Sequence, residues 1–367
     1  MNEISNHASL HHVPGSGTAI REIGGLAVVG LGYWGPNWVR NLLQAGCAKR
    51  VIACDLDPRR REHVAQAFPG TEVHGSLDRV LEDPEIEGIV VATPVSTHFR
   101  IARAAIAAGK SVLVEKPLAM SFHQADTLRR LAADRGVVLM VGHTFEYSTP
   151  VRKIAELIAQ GELGEVLYIT STRANLGLFQ HDVNVVWDLA THDISIILML
   201  TGAMPEAVSC QARSYYRKGI EDVALLTLHF GRILAFIHVS WLDPNKIRRT
   251  TIVGSRKMLV YDDTAVQEKI RIYDKGVTVQ RYYDSYDEFQ LAYRYGDIQI
   301  PRIDESEPLK VECQHFVECI ARRGAPRTDA SSGVRVVSVL EAADQSIRNG
   351  GRPVSLPFAE DANDAAA

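Results

Sequence analysis

The sequence lacks any run of about 18 consecutive apolar residues, which a membrane-spanning helix requires. It also lacks a basic leader followed by an apolar segment at its N-terminus, so we do not predict secretion. Positive charge is not in excess either, because 40 Lys and Arg stand against 44 Asp and Glu, a formal net charge of −4. This balance argues against a nucleic-acid binder whose affinity rests on neutralising phosphates. We therefore expect neither a membrane nor a nucleic-acid partner.

Cysteine is scarce: the five cysteines form no CxxC pair and are odd in number. We interpret Cys47, Cys54, Cys210, Cys313 and Cys319 as reduced, structural residues of a cytoplasmic protein. Histidines cluster in residues 1–22, but no acidic or Cys partner completes a site there, so we predict no metal. That segment is interpreted as a flexible leader, and residues 359–367 as a frayed tail.

A length of 367 residues with 46% apolar and 23% charged residues favours two globular domains. In residues 23–145, short apolar runs such as LAVVG, RVIACD, EGIVVAT and SVLVE alternate with helical stretches. Strands that are apolar on both faces need helices on either side. We predict an α/β Rossmann domain, which has a parallel, doubly wound sheet.

Residues 146–358 contain a succession of β-rich segments with few helices between them, from EVLYITSTRA to VTVQRYY. Strands joined by short connections form antiparallel pairs. We predict an α+β domain with a large open, mostly antiparallel sheet, followed by helices near residues 310–322 and 332–349. These helices would cover that sheet or pack back on the first domain.

The glycine pattern Gly30-x-Gly32-x-x-Gly35 follows the first strand and precedes a helix. Such glycines let the backbone approach a pyrophosphate at a helix N-terminus. Asp55 ends the second strand, 20 residues after Gly35, where a carboxylate accepts ribose hydroxyls and repels a 2′-phosphate. We predict NAD as the cofactor. The arginines at 59–61 leave NADP open, although a solvated helix face is the simpler interpretation.

Lys116 lies in Glu115-Lys116-Pro117 at the end of the strand SVLVE, and Thr93, Pro94 and His98 follow the preceding strand. Ligands of open α/β sheets bind beyond the carboxyl ends of the strands. We predict that these residues line the nicotinamide end of the site. A snorkelling surface lysine is the alternative.

Asp188 and His192 are four residues apart in a predicted helix, so their side chains lie on one face. Histidine titrates near neutrality and is the commonest general base. A plain surface hydrogen bond would produce the same spacing. We assign the adjacent Asp193 a structural role.

Together the motifs GLGYWGPN, Asp55, ATPVSTH, EKP and DLATHD resemble the glucose-fructose oxidoreductase / inositol dehydrogenase (Gfo/Idh/MocA) family. The resemblance implies catalysis by Lys116, Asp188 and His192. It also implies a Lys116–Pro117 peptide that is a candidate for the cis form, and a homodimer or homotetramer formed through the C-terminal sheet. The implied cofactor-binding residues are Gly30, Gly32, Tyr33, Trp34, Gly35, Asp55, Thr93, Pro94, His98, Glu115 and Lys116. The implied substrate-binding residues are Lys116, Tyr147, Arg173, Asn175, Asp188 and His192.

Within the family, segments such as VGHTFEY and WLDPNKIRRTTIVGSRKM look most like the nucleotide-sugar branch, particularly UDP-N-acetylglucosamine 3-dehydrogenases. A diphosphate requires cations, for which Arg173, Lys246, Arg248 and Arg249 are candidates. The tyrosines at 282, 283, 286, 293 and 295 would form an interface or stack on uracil. Two other hypotheses remain: a dehydrogenase or reductase of free inositols, hexoses or 3-keto sugars, and a non-catalytic NAD-binding sensor or scaffold.

The expected reaction is oxidation of a ring secondary alcohol by hydride transfer to nicotinamide. His192 would accept the hydroxyl proton, and Lys116 would donate to the same oxygen. The positive charge of Lys116 would lower the pKa of His192 and keep that imidazole neutral. Asp188 would orient the sugar through a neighbouring hydroxyl or hold the imidazole.

Overall fold

The structure is a computed structural model, and it describes residues 21, 23–46, 48–177, 179–279 and 291–356. The predicted leader and tail, Cys47, and Tyr282, Tyr283 and Tyr286 lie outside the described residues, apart from residue 21 of the leader. None of the helices in the described ranges is long and apolar enough to cross a membrane.

Six strands form a parallel sheet in the order β3-β2-β1-β4-β5-β6. The strands are β1 (Ile23–Val29), β2 (Ala48–Cys54), β3 (Glu72–His74), β4 (Ile86–Val91), β5 (Ser111–Glu115) and β6 (Leu139–Gly142). Every residue of β5 is buried, as expected for a strand that is covered on both faces. This strand order is that of a Rossmann fold, whose order reverses between β1 and β4. The predicted fold class of the first half is confirmed.

Five helices connect these strands: α1 (Gly35–Ala45), α2 (Pro58–Ala67), α3 (Leu77–Glu82), α4 (Val95–Ala107) and α5 (Phe122–Arg135). Proline stands in the first turn of α1 and of α2, where a missing backbone N–H costs nothing. The Asp57 side chain caps α2 by accepting from the Arg59 N–H. Local sequence therefore sets where the helices beside the glycine loop begin.

The second sheet has nine strands in the order β14-β13-β12-β11-β7-β10-β9-β8-β15. They are β7 (Val166–Leu176), β8 (Ala207–Arg213), β9 (Val223–Phe230), β10 (Ile233–Ser240), β11 (Leu242–Gly254), β12 (Met258–Asp262), β13 (Ile270–Val279), β14 (Leu291–Gln299) and β15 (Val354–Ser355). Within this second sheet, β7 and β10 are parallel neighbours and the other described strand pairs are antiparallel. The predicted open, mostly antiparallel sheet is confirmed.

Helices cover one face of the second sheet and connect it to the first domain. They are a 3-10 helix (Thr144–Tyr147), α6 (Thr149–Ala159), a π-helical turn (Val186–Ala190), α7 (Thr191–Thr201), α8 (Pro308–Arg322) and α9 (Ala330–Arg348). Phe316 and Ile320 of α8 belong to the same buried cluster as Trp38 of α1 and Leu26 of β1. Helix α8 thus packs back on the first domain, whereas α9 contacts elements of both domains.

Candidate active site

The glycine loop joins β1 to α1 at the point where the strand order reverses. Gly30 has φ +97°, and a Cβ atom there would lie 2.6 Å from the main-chain oxygen of Ala92. A Cβ at Gly35 would collide with the main-chain oxygen of Gly30. At Gly32 the nearest atom to such a Cβ is a guanidinium nitrogen of Arg60, 3.8 Å away, so this turn faces open space. The loop therefore fits a dinucleotide pyrophosphate at the N-terminus of α1.

Two exposed aromatic side chains stand at the tip of this loop. Tyr33 is 80% and Trp34 46% exposed, and their rings meet edge to face at 5.5 Å. Large aromatic side chains with this much free surface at a cofactor loop offer apolar contact area to a ligand.

Asp55 lies beside the loop, and its carboxylate is already hydrogen-bonded to main chain. It accepts from the N–H of Leu31 at 2.7 Å and from the N–H of Asp57 at 2.8 Å. Arg60 reaches the Leu31-bound oxygen at 3.5 Å. A surface pocket next to this carboxylate is lined by Leu31, Gly32, Tyr33, Pro36, Asp57, Arg59, Arg60 and His63. This side of the loop thus combines one carboxylate, held by two main-chain N–H groups, with the exposed guanidinium groups of Arg59 and Arg60.

The rim beyond β4 is formed by Thr93 and Pro94. Thr93 is half-buried and receives the hydroxyl of Thr97 at 2.7 Å, whereas Pro94 is exposed. His98 differs from the cofactor contact that we predicted, because its two ring nitrogens face the main-chain oxygens of Pro117 and Thr93, each at 2.8 Å. The ring is 1% exposed, so it connects the two strand ends and offers no free nitrogen to a cofactor.

Lys116 connects the two domains. Its ammonium donates to the main-chain oxygen of Asp188 at 2.8 Å and to the carboxylate of Asp188 at 3.3 Å. The other carboxylate oxygen of Asp188 accepts from the indole nitrogen of Trp241 at 3.0 Å. The peptide between Lys116 and Pro117 is cis, in agreement with the expectation from the resemblance. Asp188 therefore holds the lysine, and of the two roles that we expected for it, holding the imidazole of His192 is not observed.

Glu115 is buried next to Lys116, and both of its carboxylate oxygens already have hydrogen-bond donors, so it is not free to contact a cofactor as we predicted. One carboxylate oxygen accepts from the indole nitrogen of Trp38 at 2.7 Å, and the other accepts from the main-chain N–H of Lys116 at 3.2 Å. Burial raises the pKa of Glu115, and the bond from Trp38 opposes that shift. Glu115 thus connects the indole of Trp38 to the main chain at the end of β5.

His192 is on the first turn of α7, directly after the π-helical turn that carries Asp188. Its Nδ1 atom is buried without a hydrogen-bond partner among the described residues, which leaves Nε2 as the nitrogen able to meet a substrate. The ring of Phe145 packs against it edge to face at 4.9 Å. Burial, then the positive charges of Lys116 and Arg173, lower the pKa of His192 well below its usual value of 6.5. The imidazole is therefore neutral and able to accept a proton.

His143 is a site neighbour that the sequence motifs did not reveal. It follows β6, whose Gly142 pairs with Glu115, so His143 lies next to Lys116 at the carboxyl ends of the strands. The side chain is 0% exposed, and neither ring nitrogen has a partner among the described residues. Burial and the charge of Lys116 lower the pKa of His143 to about 3. The sequence offered two signals, its position after a strand end and its place in the segment VGHTFEY, from which we assigned it no role.

Of three residues that we expected to contact the substrate, two are buried with their polar groups already paired and the third is half-buried. Arg173 is buried and paired with Asp193, with Nε 2.8 Å from Oδ2, so its charge is already compensated. Tyr147 is 1% exposed and its hydroxyl pairs with that of Thr328 at 3.0 Å, so it offers no group to a substrate. Asn175 is half-buried at the end of β7.

Arg248 is a partly exposed cation on β11, between the exposed Lys246 and Arg249. It pairs with Arg173 in the antiparallel register of β11 and β7, which puts both side chains on the same sheet face. Asp263 contacts its guanidinium at 3.2 Å, and the arginine side chain is 37% exposed. Its charge also lowers the pKa of His192, so it lies within electrostatic reach of the imidazole.

Across the described residues, no group of three or more His, Cys, Asp and Glu side chains could hold a metal ion.

Comparisons with known proteins agree with this architecture. Residues 25–143 match the model of the oxidoreductase family with an NAD-binding Rossmann fold, and residues 151–260 match the GFO/IDH/MocA C-terminal domain. The chain is 27% identical over 308 residues to a scyllo-inositol 2-dehydrogenase (NADP(+)) of Bacillus subtilis, covering 78% of this chain and 84% of that protein. It is 28% identical over 322 residues to the UDP-N-acetylglucosamine 3-dehydrogenase of Acidithiobacillus ferrooxidans, covering 85% and 93%.

The crystal structure of GenD2 from gentamicin A biosynthesis, in complex with NAD, superimposes with a TM-score of 0.77 at 26% identity. The match covers 93% of this chain and 98% of that one. Both predicted domains thus have family counterparts, in the predicted order. The chain belongs to the Gfo/Idh/MocA family of NAD-binding oxidoreductases.

Proposed function

We propose that the protein oxidises a secondary hydroxyl of a nucleotide sugar with NAD, and that the reaction is the conversion of C3 of UDP-N-acetylglucosamine to the ketone. The observation that carries the chemistry is the contact of Lys116 with Asp188 across the two domains, next to a neutral His192. The sugar assignment draws on the similarity to the UDP-N-acetylglucosamine 3-dehydrogenase, of which the alignment covers 93%.

In this proposal His192 accepts the hydroxyl proton at Nε2. Lys116 has one N–H left beyond its two bonds to Asp188, and it donates that N–H to the same hydroxyl oxygen, where negative charge develops. The bound nicotinamide supplies the hydride acceptor. Proton transfer by a positioned side chain contributes about 100- to 10,000-fold to the rate. Once His192 has accepted the proton, the positive charges around it destabilise the charged imidazole. This favours release of the proton after each turnover.

The residues that would hold NAD are those with free surface at the strand ends. The glycine loop with Tyr33 and Trp34 would receive the pyrophosphate, and Asp55 the adenosine ribose. Thr93 and Pro94 would line the nicotinamide end. Glu115 and His98 would support this surface from below, because their polar atoms are engaged by Trp38, Lys116 and main-chain oxygens.

A nucleotide diphosphate needs at least one cation with solvent access near the reacting carbon. Arg248 meets this requirement, and the exposed Lys246, two residues earlier on the chain, would add to it. The adjacent Arg249 points to the opposite face of the sheet, and Arg173 is neutralised by Asp193. Asn175 at the end of β7 would contact the sugar. A substrate without an anionic group would leave the exposed part of the Arg248 guanidinium without a partner in the complex.

A second candidate is a dehydrogenase of free inositols, favoured by the 27% identity to the scyllo-inositol dehydrogenase. The deciding experiment is NADH formation with a panel of UDP-sugars, inositols and hexoses, followed by identification of the oxidised carbon. Turnover of UDP-N-acetylglucosamine at a kcat/KM at least about 100-fold above that of every free polyol supports the proposal. The reverse ranking contradicts it.

We further propose a homodimer or homotetramer formed through the open face of the second sheet. This face exposes Tyr168, Leu225, Leu234 and Phe236, each at least 37% exposed, on the neighbouring strands β7, β9 and β10. Contiguous apolar surface of this kind is typical of an interface.

We retain residues 23–145 and 146–358 as the proposed domains; the two family models match residues 25–143 and 151–260, which lie within these ranges. A cytoplasmic location is also proposed, since Cys54, Cys210 and Cys319 are buried thiols without disulfides.

A further inference from the structure

Three tryptophan side chains in the described residues donate their indole N–H to a carboxylate. Trp38 donates to Glu115 at 2.7 Å, Trp187 to Asp344 at 2.8 Å, and Trp241 to Asp188 at 3.0 Å. Two of these carboxylates, those of Glu115 and Asp188, also contact Lys116. The third, Asp344, has no such contact with the lysine and provides an internal comparison.

The first pair holds the main chain of Lys116. Trp38 is fully buried on α1, one turn after the glycine loop, and reaches across to the end of β5. Its partner Glu115 uses the second carboxylate oxygen to accept the main-chain N–H of Lys116 at 3.2 Å. Since a buried carboxylate needs donors for both oxygens, replacing the indole would free the carboxylate to rotate away from that N–H.

The second pair holds the ammonium of Lys116 from the other domain. Trp241 is 1% exposed and lies between β10 and β11, with its main-chain N–H bonded to the oxygen of Asp222 at 2.9 Å. Its main-chain oxygen accepts from Gly177, and its ring packs on Phe179 at 5.4 Å. The indole is therefore fixed in position, and it fixes the torsion of the Asp188 carboxylate that receives the lysine.

We propose that Trp38 and Trp241 are positioning residues, which hold Lys116 in its reactive orientation from the two domains through Glu115 and Asp188. The inference rests on the proposed role of Lys116 in the reaction. A lysine side chain has four rotatable torsions, and an error of about 1 Å in the position of a reacting group costs about 100-fold in rate. Fixing both ends of the side chain removes that freedom before substrate arrives.

The test compares Trp38→Phe and Trp241→Phe with Trp187→Phe, which deletes the same kind of bond on the turn next to Asp188. We would measure kcat, KM, the dissociation constant of NADH, the unfolding temperature, and the isotope effect on kcat with substrate deuterated at the oxidised carbon. For Trp38→Phe and Trp241→Phe we expect kcat to fall at least about 10-fold, with a larger isotope effect because hydride transfer becomes slower. NADH affinity should stay within about threefold, and Trp187→Phe should keep kcat within about twofold.

Equal loss of kcat in all three variants, or no loss in Trp38→Phe and Trp241→Phe, would overturn the inference. Should Trp241→Phe fail to fold, benzothienylalanine at position 241 deletes the N–H and keeps the ring shape. An unchanged kcat in that protein would also overturn it. Lys116→Ala distinguishes failure of the proposed role of the lysine from failure of its positioning by tryptophan. If Lys116→Ala keeps normal turnover, the proposed role of the lysine is wrong. If Lys116→Ala loses turnover but the tryptophan variants do not, only the positioning is wrong.

Discussion

The ammonium of Lys116 donates to the main-chain oxygen of Asp188 over 2.8 Å, and this bond joins the end of β5 to the turn before α7. Because the two residues belong to different domains, the candidate active site exists only when both domains are in their observed arrangement. The carboxylate of Asp188 is occupied by Lys116 and Trp241, so within the described part of the chain it does not pair with His192, the residue that we propose as the base.

We expect Lys116→Ala and His192→Ala to lower kcat at least about 100-fold, because each loses a group that acts on the proton or on the developing charge. NADH binding, measured by fluorescence titration, should stay within about threefold, since neither group is needed to hold the dinucleotide. Near-normal turnover in either variant would remove that residue from the mechanism. Arg232→Ala, an exposed change in the turn between β9 and β10, is the control and should leave both quantities unchanged.

Asp55→Ala should weaken NAD binding and narrow the preference for NAD over NADP. The carboxylate accepts the N–H of Leu31, so the variant also loosens the glycine loop. The check is the ratio of kcat/KM for the two cofactors. Asp55→Asn retains an acceptor oxygen and should keep the loop while losing the charge. An unchanged cofactor ratio in both variants would refute the assignment.

Arg173→Ala should destabilise the fold by about 3–5 kcal/mol, because it leaves the carboxylate of Asp193 buried without its cation. The measurement is the free energy of unfolding in urea. The double variant Arg173→Met with Asp193→Leu should recover most of the loss, since the buried charges are removed together. If Arg173→Ala instead raised KM tenfold at wild-type stability, Arg173 would be a substrate contact.

Glu146 predicts a dependence of stability on pH. Burial raises the pKa of Glu146 to about 8, above the ordinary value of 4.5 expected in the unfolded chain. The folded state therefore keeps a proton that the unfolded state releases, so this contribution is full below pH 4.5 and declines up to about pH 8. Glu146→Gln should flatten the free energy of unfolding across that range. The exposed Glu62→Gln should leave its slope unchanged, and an unchanged slope in Glu146→Gln would contradict the prediction.

Leu225→Glu and Phe236→Glu should dissociate the proposed oligomer, because each puts a charge in the apolar face of the second sheet. Sedimentation velocity gives the mass directly. Val266→Glu, at a site that is 83% exposed in the turn after β12, is the control and should leave the mass unchanged. A wild-type protein that sediments as a monomer would refute this interface.

The sequence predicted the fold well where strands are apolar and helices have clear ends. The alternation of LAVVG, RVIACD and SVLVE with helical stretches was sufficient for the Rossmann sheet. The short elements β3 and α3 were not predicted, because EVH and LDRVLE have only three and six residues, too few for a repeated pattern to stand out.

The sequence predicted which residues form the candidate site better than it predicted their hydrogen-bond and ion-pair partners. Lys116 and Asp188 come together as the motifs imply, yet the partners Trp38 and Trp241 are 77 and 53 residues away in sequence from the carboxylates that they bind. The ion pair that occupies Arg173 depends on how β7 packs against α7, which no local pattern encodes. Such contacts follow from tertiary packing, so they were not available from residue spacing.

Helix α8 has a consequence for how the chain acquires its fold. A Cβ at Gly88, on the central strand β4, would lie 2.7 Å from a methyl group of Ile320, so α8 lies directly on the first sheet. Ribosomes synthesise the chain from its N-terminus, so residues 146–307 are made after the first domain and before this helix. A nascent chain that ends at residue 145 would therefore expose the apolar surface that α8 covers in the complete fold, and exposed apolar surface of this kind favours aggregation.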